Sequence, residues 1–356
     1  MKRLRVILLV VLTLLLGRCS KEGDPVPGQP FDEGLFILNE GPFQNGTGTL
    51  SFWDRNTGEV RHKVFQEAND GLQLGNIVQS MTLFGGKAYI VVNNSERVVV
   101  ADARTLKLDT ILQGFEFPRY LMPVNDSIAY VSQWKLDGDT RRGNVAVLNL
   151  RTLRIEKHIL TGEGTENLLL HRGKVYAANE GFLGRDSTLA VIDPQTHTLE
   201  KKIVVGDNPH SLAEDRHGAL WVICRGHTAD FSNPDDPRNT PSRLVRLEND
   251  QIAAVFEMET GAGNLLIHPD GERLFFTRGG FTGRIFLHHI EQDALSPEPL
   301  LPETFYDIAL DPRTGELLAF DARDFVANGA MLRLSPAGQI LESIPAGVIP
   351  RDAVGR

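Results

Sequence analysis

The sequence predicts an all-β fold: a seven-bladed β-propeller of four-stranded antiparallel blades, closed by a C-terminal strand in the first blade. Three observations carry this. A two-strand phrase recurs at 49–65 (TLSFWDRNTGEVRHKVF), 97–112 (RVVVADARTLKLDTIL), 144–160 (NVAVLNLRTLRIEKHIL) and 188–205 (TLAVIDPQTHTLEKKIVV). A hairpin stands ahead of each later copy, as in QSMTLFGGKAYIVV at 79–92, and another such hairpin is NLLIHPDGERLFFT at 264–277. The unit therefore holds four strands and returns at intervals of roughly 40 to 55 residues, the spacing of a propeller blade. Finally, the tail IPRDAVG at 349–355 echoes FPRYLMP at 117–123, the opening of the third unit.

The strands follow from period-2 alternation, as where Val98 and Val100 interleave with Val99 and Ala101. Turns follow from Gly-Gly, Asn-Asp, Arg-Gly, His-Gly, Asp-Gly and Thr-Gly pairs, and from Asp193-Pro194. Second strands fall near 35–39, 88–92, 128–132, 174–178, 219–223, 273–277 and 316–320. The first unit starts directly at GLFILNE and lacks an opening strand, so residues 351–354 are expected to supply it and remove an open edge. A four-stranded blade with two apolar faces can bury both only between two neighbours, which is the physical reason for a ring. A β-sandwich is the competing arrangement, but the repeat runs to the C-terminus without a linker. No amphipathic helix is expected.

Ahead of the propeller, at 34–356, stand two segments without a place in the fold. Residues 1–19 read as a lipoprotein signal peptide. Lys2, Arg3 and Arg5 precede an apolar run at 6–16, shorter than the roughly 20 apolar residues a spanning helix needs. LGRC resembles a lipobox that would be acylated at Cys19, with Arg18 in place of the usual small residue. SKEGD resembles the acidic surface-export signal of Bacteroidota lipoproteins, and 20–33, rich in Pro, Gly and charge, reads as a flexible tether. Cys224, in the apolar run LWVIC, reads as a buried strand cysteine, and no disulfide is expected. A net charge of −9 argues against nucleic acid as a partner.

Chemistry is expected on one rim, where loops after the second strands meet the openings of the innermost strands. Those openings are Gln79, Arg119, Asn167, His210, Asn264, Tyr306 and Arg351. The loops of the third and fifth units, 132–144 and 225–242, are long, and Phe43, Trp134, Phe182, Phe231, Phe281 and Phe325 stand in six of the seven loops. Together they predict a funnel with aromatic walls and a polar floor, suited to a large amphipathic organic molecule. Trp134, Phe182, Phe231 and Phe281 are expected to enclose the ligand. Gln79, Arg119, His210, Tyr306 and Arg351 are expected to hydrogen-bond it. An alternative pairs Arg119 and Arg351 with Asp321, Asp324 or Glu180. NEG occurs at 39–41 and 179–181, so Glu40 and Glu180, with His210 or His227, could instead form a cation or acid–base site of a lactonase or lyase. No phosphate loop, HExxH or zinc cysteine pair occurs, no cofactor is expected, and His217 and His288–His289 read as surface or structural.

GLFILNEGPFQNGTGTLSFWDRNTGEV, VQSMTLFGGKAYIVVNNSERVVVADARTLK, PRYLMPVNDSIAYVSQW and the pair GKVYAANEG and TLAVIDPQT resemble the YncE/YVTN-type propeller lipoproteins of Bacteroidota. The resemblance implies a protein anchored to the outer membrane and exposed at the cell surface. It would bind a bulky nutrient, corrinoid- or cobalamin-like or siderophore-like, and deliver it to a TonB-dependent transporter. A lactonase- or lyase-type enzyme and a protein-interaction platform are the alternatives.

Overall fold

A computed structural model describes residues 31–355 apart from 44–45, 138–139, 183, 231 and 234; of residues 135–141 only the backbone is described. The strands form seven antiparallel sheets, one per blade. Blade 1 comprises, from the centre outward, Pro350–Gly355, Gly34–Asn39, Thr49–Asp54 and Val60–Arg61. The innermost strands of blades 2 to 7 are Val78–Phe84, Pro118–Pro123, Thr165–His171, Pro209–Glu214, Ala262–Ile267 and Asp307–Leu310. Each touches the next, and that of blade 7 touches Pro350–Gly355, which touches that of blade 2, so the ring is closed.

Closure is by strand pairing, as the sequence predicts. Leu35 faces Gly355, Phe36 faces Val354 and Ile37 faces Ala353. The folded chain also starts earlier than expected. Phe31 is buried against Phe36 and Phe52, with ring centroids 5.3 and 5.0 Å away. Glu33 is paired with Arg313 of blade 7, so the last residues of the expected tether belong to the propeller.

Burial explains why the blades need one another. Apolar side chains fall into seven clusters, one at each junction between adjacent blades. The strand Arg97–Asp102 shows the division: Val98 and Val100 enter the cluster shared with blade 3, while Val99 and Ala101 enter the one shared with blade 1. At about 25 cal/mol per Å² of apolar area removed from water, these junctions are the main stabilising contribution.

The recurring phrase is an outer hairpin whose turn is held by an aspartate or asparagine. The Asp102 carboxylate accepts from the N–H groups of Arg104 and Thr105, and Asn149 does the same for Arg151 and Thr152. Leu106, Leu153 and His197 take the left-handed conformation that Gly58 occupies in the first copy.

Three details depart from the expectation. Blade 6 has three strands, ending with Arg284–His289. Pro297, Pro299 and Pro302 follow, and prolines lack the N–H a fourth strand would need, so this segment contributes only isolated backbone bonds such as Leu300 N–H to Ile285 and the Gly283–Phe305 bridge. A short helix, Val64–Ala68, packs Val64 and Phe65 into the junction of blades 1 and 2. The expected loop at 132–144 is instead a continuation of the sheet, with strands Ile128–Asp137 and Thr140–Asn149 paired as far as Asp137 opposite Thr140. Among the described residues no helix is long and apolar enough to cross a membrane.

Removal of residues 350–356 should unmask the edge of Gly34–Asn39 and take Ala353 out of the cluster at the junction of blades 7 and 1. The expected result is a lower thermal midpoint and self-association by size-exclusion chromatography, both reversed by adding the missing peptide. A truncated chain as stable and monomeric as the full one would show that the ring does not depend on this strand.

Candidate functional site

The site is built by a kink repeated from blade to blade. In blades 1 to 6 the innermost strand slips register against its neighbour within its first residues. The slip leaves Gln79, Arg119, Glu166, His210, Asn264 and Arg351 outside the regular pairing. A bulge of this kind re-aims side chains out of the ladder. Two residues ahead stand Ile77, Phe117, Gly164, Asn208 and Ile349, all with positive φ, between 45° and 60°. A β-branched residue such as Ile77 or Ile349 in this region is a strained exception.

Above this ring of bulges lies a cavity of about 600 Å³. Phe43, Phe182, Phe281 and Phe325 from the loops, Trp134 from the extended strand Ile128–Asp137, and Phe117 and Tyr306 from the floor supply its aromatic lining, with Gln79, Arg119, Glu40 and Arg351 among the polar groups. Trp134 and Phe281 therefore share one side of the disc. Phe281, Tyr306 and Phe325 form a triangle of rings with centroids 5.0–5.5 Å apart. Facing them, Trp134 meets Phe182 edge-on at 4.6 Å and stacks under the Arg119 guanidinium at 4.0 Å. Phe281 and Phe43 remain two-thirds exposed, at 68% and 66%.

Beneath it a second cavity of about 190 Å³ continues down the axis, lined by Tyr120, Asn167, His210, Asn264, Asp307 and Asp352 among others. Arg351 borders both cavities. His210 thus stands one level below the aromatic lining with which the sequence groups it. Phe231 and Cys19 lie outside the described residues.

Both arginines are held by carboxylates, though not those expected. Arg119 donates to both oxygens of Glu166 at 2.8 Å and to the Gln79 side-chain oxygen at 2.6 Å. Arg351 donates to Glu40 at 2.6 Å and reaches Asp307 at 3.3 Å and the Tyr120 hydroxyl at 3.4 Å. The Tyr306 hydroxyl donates to Glu40 at 3.1 Å. Asp321 and Asp324 take no part in these pairs.

Glu166, Glu180 and His210 form a buried cluster whose ligand atoms lie within 4.8 Å of one another. Burial by itself would raise the Glu180 carboxyl, but His210 at 3.3 Å and Arg225 at 2.9 Å hold it down to about 2. Glu40 and His227 are not in this cluster; Glu40 serves Arg351, and the His227 backbone pairs with Thr240. The two NEG glutamates are therefore parts of separate networks rather than an acid–base pair. His217 is half-exposed beside Glu291, and His288 is buried between blades, held neutral by desolvation to about pH 4. Cys224 is fully buried, which pushes its thiol well up.

Sequence reasoning missed Glu166, Ile77, Phe117 and Ile349. The triplets Ile-Val-Gln, Phe-Pro-Arg and Ile-Pro-Arg at 77–79, 117–119 and 349–351 were the available signal. Aligning them with Gly164-Thr165-Glu166 picks Glu166 rather than Asn167 as the blade-4 counterpart.

Fold and site define a propeller with a concave, aromatic-lined cavity on one face. The chain belongs to the DUF5074 family, described as a domain of unknown function, whose model matches residues 33–329. No curated protein matches it in sequence. Among solved structures it is similar to a quinonprotein alcohol dehydrogenase-like protein from Bacteroides thetaiotaomicron, 16% identical, with a TM-score of 0.62 over 91% of this chain and 78% of that one. It is also similar to the periplasmic gluconolactonase of Pseudomonas aeruginosa, 14% identical, with a TM-score of 0.63 over 90% of this chain and 98% of that one. At these identities the likeness shows the shared fold alone.

Two outcomes follow for the floor. Glu166→Gln strands the Arg119 cation in a buried place and should lower unfolding free energy by about 3–5 kcal/mol, read from urea titration; an unchanged midpoint would remove the pair from the stability of the mouth. Asp352 has its carboxyl raised from 3.8 to about 7 by burial and by neighbouring Asp307. The folded state therefore holds this proton more tightly than the unfolded chain, and the contribution is full below pH 3.8 and lost as pH rises through about 7. Asp352→Asn, which cannot ionise, should match the wild type at pH 4 and become progressively more stable than it towards pH 8. A difference independent of pH would contradict this.

Proposed function

We propose that this protein is a lipid-anchored, surface-exposed binding protein. It captures a bulky amphipathic nutrient of corrinoid type in the aromatic cavity and delivers it to a TonB-dependent transporter of the outer membrane. The observation that carries the binding step is the cavity itself, about 600 Å³ with rings on opposite walls and polar groups below. That size and lining are those of sites that enclose small organic ligands. Its concavity favours a small molecule over a flat protein-docking rim. The exposed faces of Phe43 and Phe281 offer apolar area that a ligand would cover. The anchor, the surface location and the transporter rest on residues 1–33 and on the resemblance to propeller lipoproteins. Titration of the purified protein with cyanocobalamin tests this reading. Trp134→Ala removes a ring from the lining and should weaken binding more than tenfold, about 1.4 kcal/mol or greater. Unchanged affinity would exclude Trp134 from the site.

The Glu166–Glu180–His210 cluster supports a second reading, a lactonase- or lyase-type enzyme with a cation. Against it, Arg119 and Arg225 already neutralise both carboxylates. Elemental analysis before and after chelation separates the two: stoichiometric metal lost with chelator would favour the enzyme.

A further inference from the structure

The cavity lining carries two N–H groups that nothing among the described residues takes. The oxygen of the Gln79 amide accepts from Arg119 at 2.6 Å, which fixes the orientation of the amide and leaves its Nε2 as the outstanding donor. Among the described residues Nε2 has no partner, although Gln79 is only 1% exposed. The indole Nε1 of Trp134 is likewise without a partner. Both side chains lie against the same guanidinium, Gln79 through its hydrogen bond and Trp134 through its stacked ring, and both line the cavity. Buried donors without acceptors are rare in folded proteins, because leaving one unmade forfeits the hydration it had in the unfolded chain. Two that line one cavity and flank one guanidinium point to the chemistry of the occupant.

The charges nearby narrow that chemistry. Arg119 spends its charge on Glu166, and Arg351 on Glu40 and Asp307. The wall offers donors without a surplus cation, a setting that suits a neutral oxygen rather than an anion. Opposite it, the Phe281–Tyr306–Phe325 triangle offers only ring faces and edges and one hydroxyl already given to Glu40.

We infer that the ligand is a neutral molecule with an apolar or aromatic body whose carbonyl or amide oxygen accepts from both Gln79 Nε2–H and Trp134 Nε1–H. This rests on reading the cavity as a ligand site and specifies what is recognised there. Both N–H groups are closed to solvent, so the ligand oxygen reaches them by a small shift of the two side chains that keeps the Gln79–Arg119 bond. Glu166, behind Arg119, is a positioning residue: it holds the guanidinium that fixes the Gln79 amide.

The test uses benzamide and benzoate as matched probes, with dissociation constants read by saturation-transfer NMR on the full chain at neutral pH. Trp134→Phe keeps a ring against Arg119 and deletes only the donor. Gln79→Glu keeps the oxygen that faces Arg119 and replaces the free amino group. Benzamide should bind the wild type at least tenfold more tightly than benzoate does, and each variant should lose about tenfold for benzamide, with Trp134→Phe keeping the wild-type melting temperature. Benzoate binding as well as benzamide, benzamide binding equally to wild type and both variants, or no benzamide binding at all would overturn the inference. Cyanocobalamin run beside them separates the two readings. If it fails to bind while benzamide binds and responds to both variants, the corrinoid reading falls and the acceptor inference stands. If cyanocobalamin binds wild type and both variants alike, the reverse holds.

Discussion

Everything in this protein depends on sheets that are apolar on both faces. A strand such as Arg97–Asp102, buried through its middle, sends alternate valines to different junctions, and no single blade can satisfy both. Blades must therefore be sandwiched, and a stack with free ends would leave two faces wet. Bending the stack into a ring removes the ends. The last strand, taken from the C-terminus and laid beside Gly34–Asn39, makes the first blade a complete member of that ring. With the exception of three-stranded blade 6, whose outer place is filled by a proline-rich segment, the plan is uniform.

Uniformity in the blades leaves the ring axis to vary. A slip in register at the start of six innermost strands is a small change in backbone geometry, but repeated around a circle it aims one polar residue per blade at a common centre. Crowding those residues together in a buried place requires that charges be matched. Arg119 with Glu166, and Arg351 with Glu40 and Asp307, are that matching. The consequence for recognition is that the arginines, which in isolation look like anion binders, are largely occupied. On the ligand-binding reading proposed above, neutral donors and aromatic surface are what remain to meet a ligand.

The fold was readable because its determinants are local and repeated. Val98 to Ala101, the Asp-held turns and the echo of 117–123 in 349–355 each announce themselves within a few residues, and the repeat multiplies the signal. Grouping loop aromatics with the starts of the innermost strands also brought together residues that do line one cavity, among them Trp134, Phe182, Phe281, Tyr306 and Arg351. What could not be read depended on a shift of one residue. The sequence points to Asn167 where Glu166 is the residue that holds Arg119, because a bulge changes which side chain points inward without altering the hydrophobic pattern. The same limit applies to His210, set one level lower, and to the stretch 132–144, whose polar residues extend a hairpin instead of forming a loop.

By itself, then, the sequence determined the architecture: how many blades, where each begins, and that the tail completes the head, since hydrophobic alternation and turn chemistry act between near neighbours. Tertiary structure alone decided which charges neutralise one another and which donors are left over. Those outcomes depend on distances between blades remote in the chain, such as Glu40 and Arg351, which the closing of the ring brings to 2.6 Å.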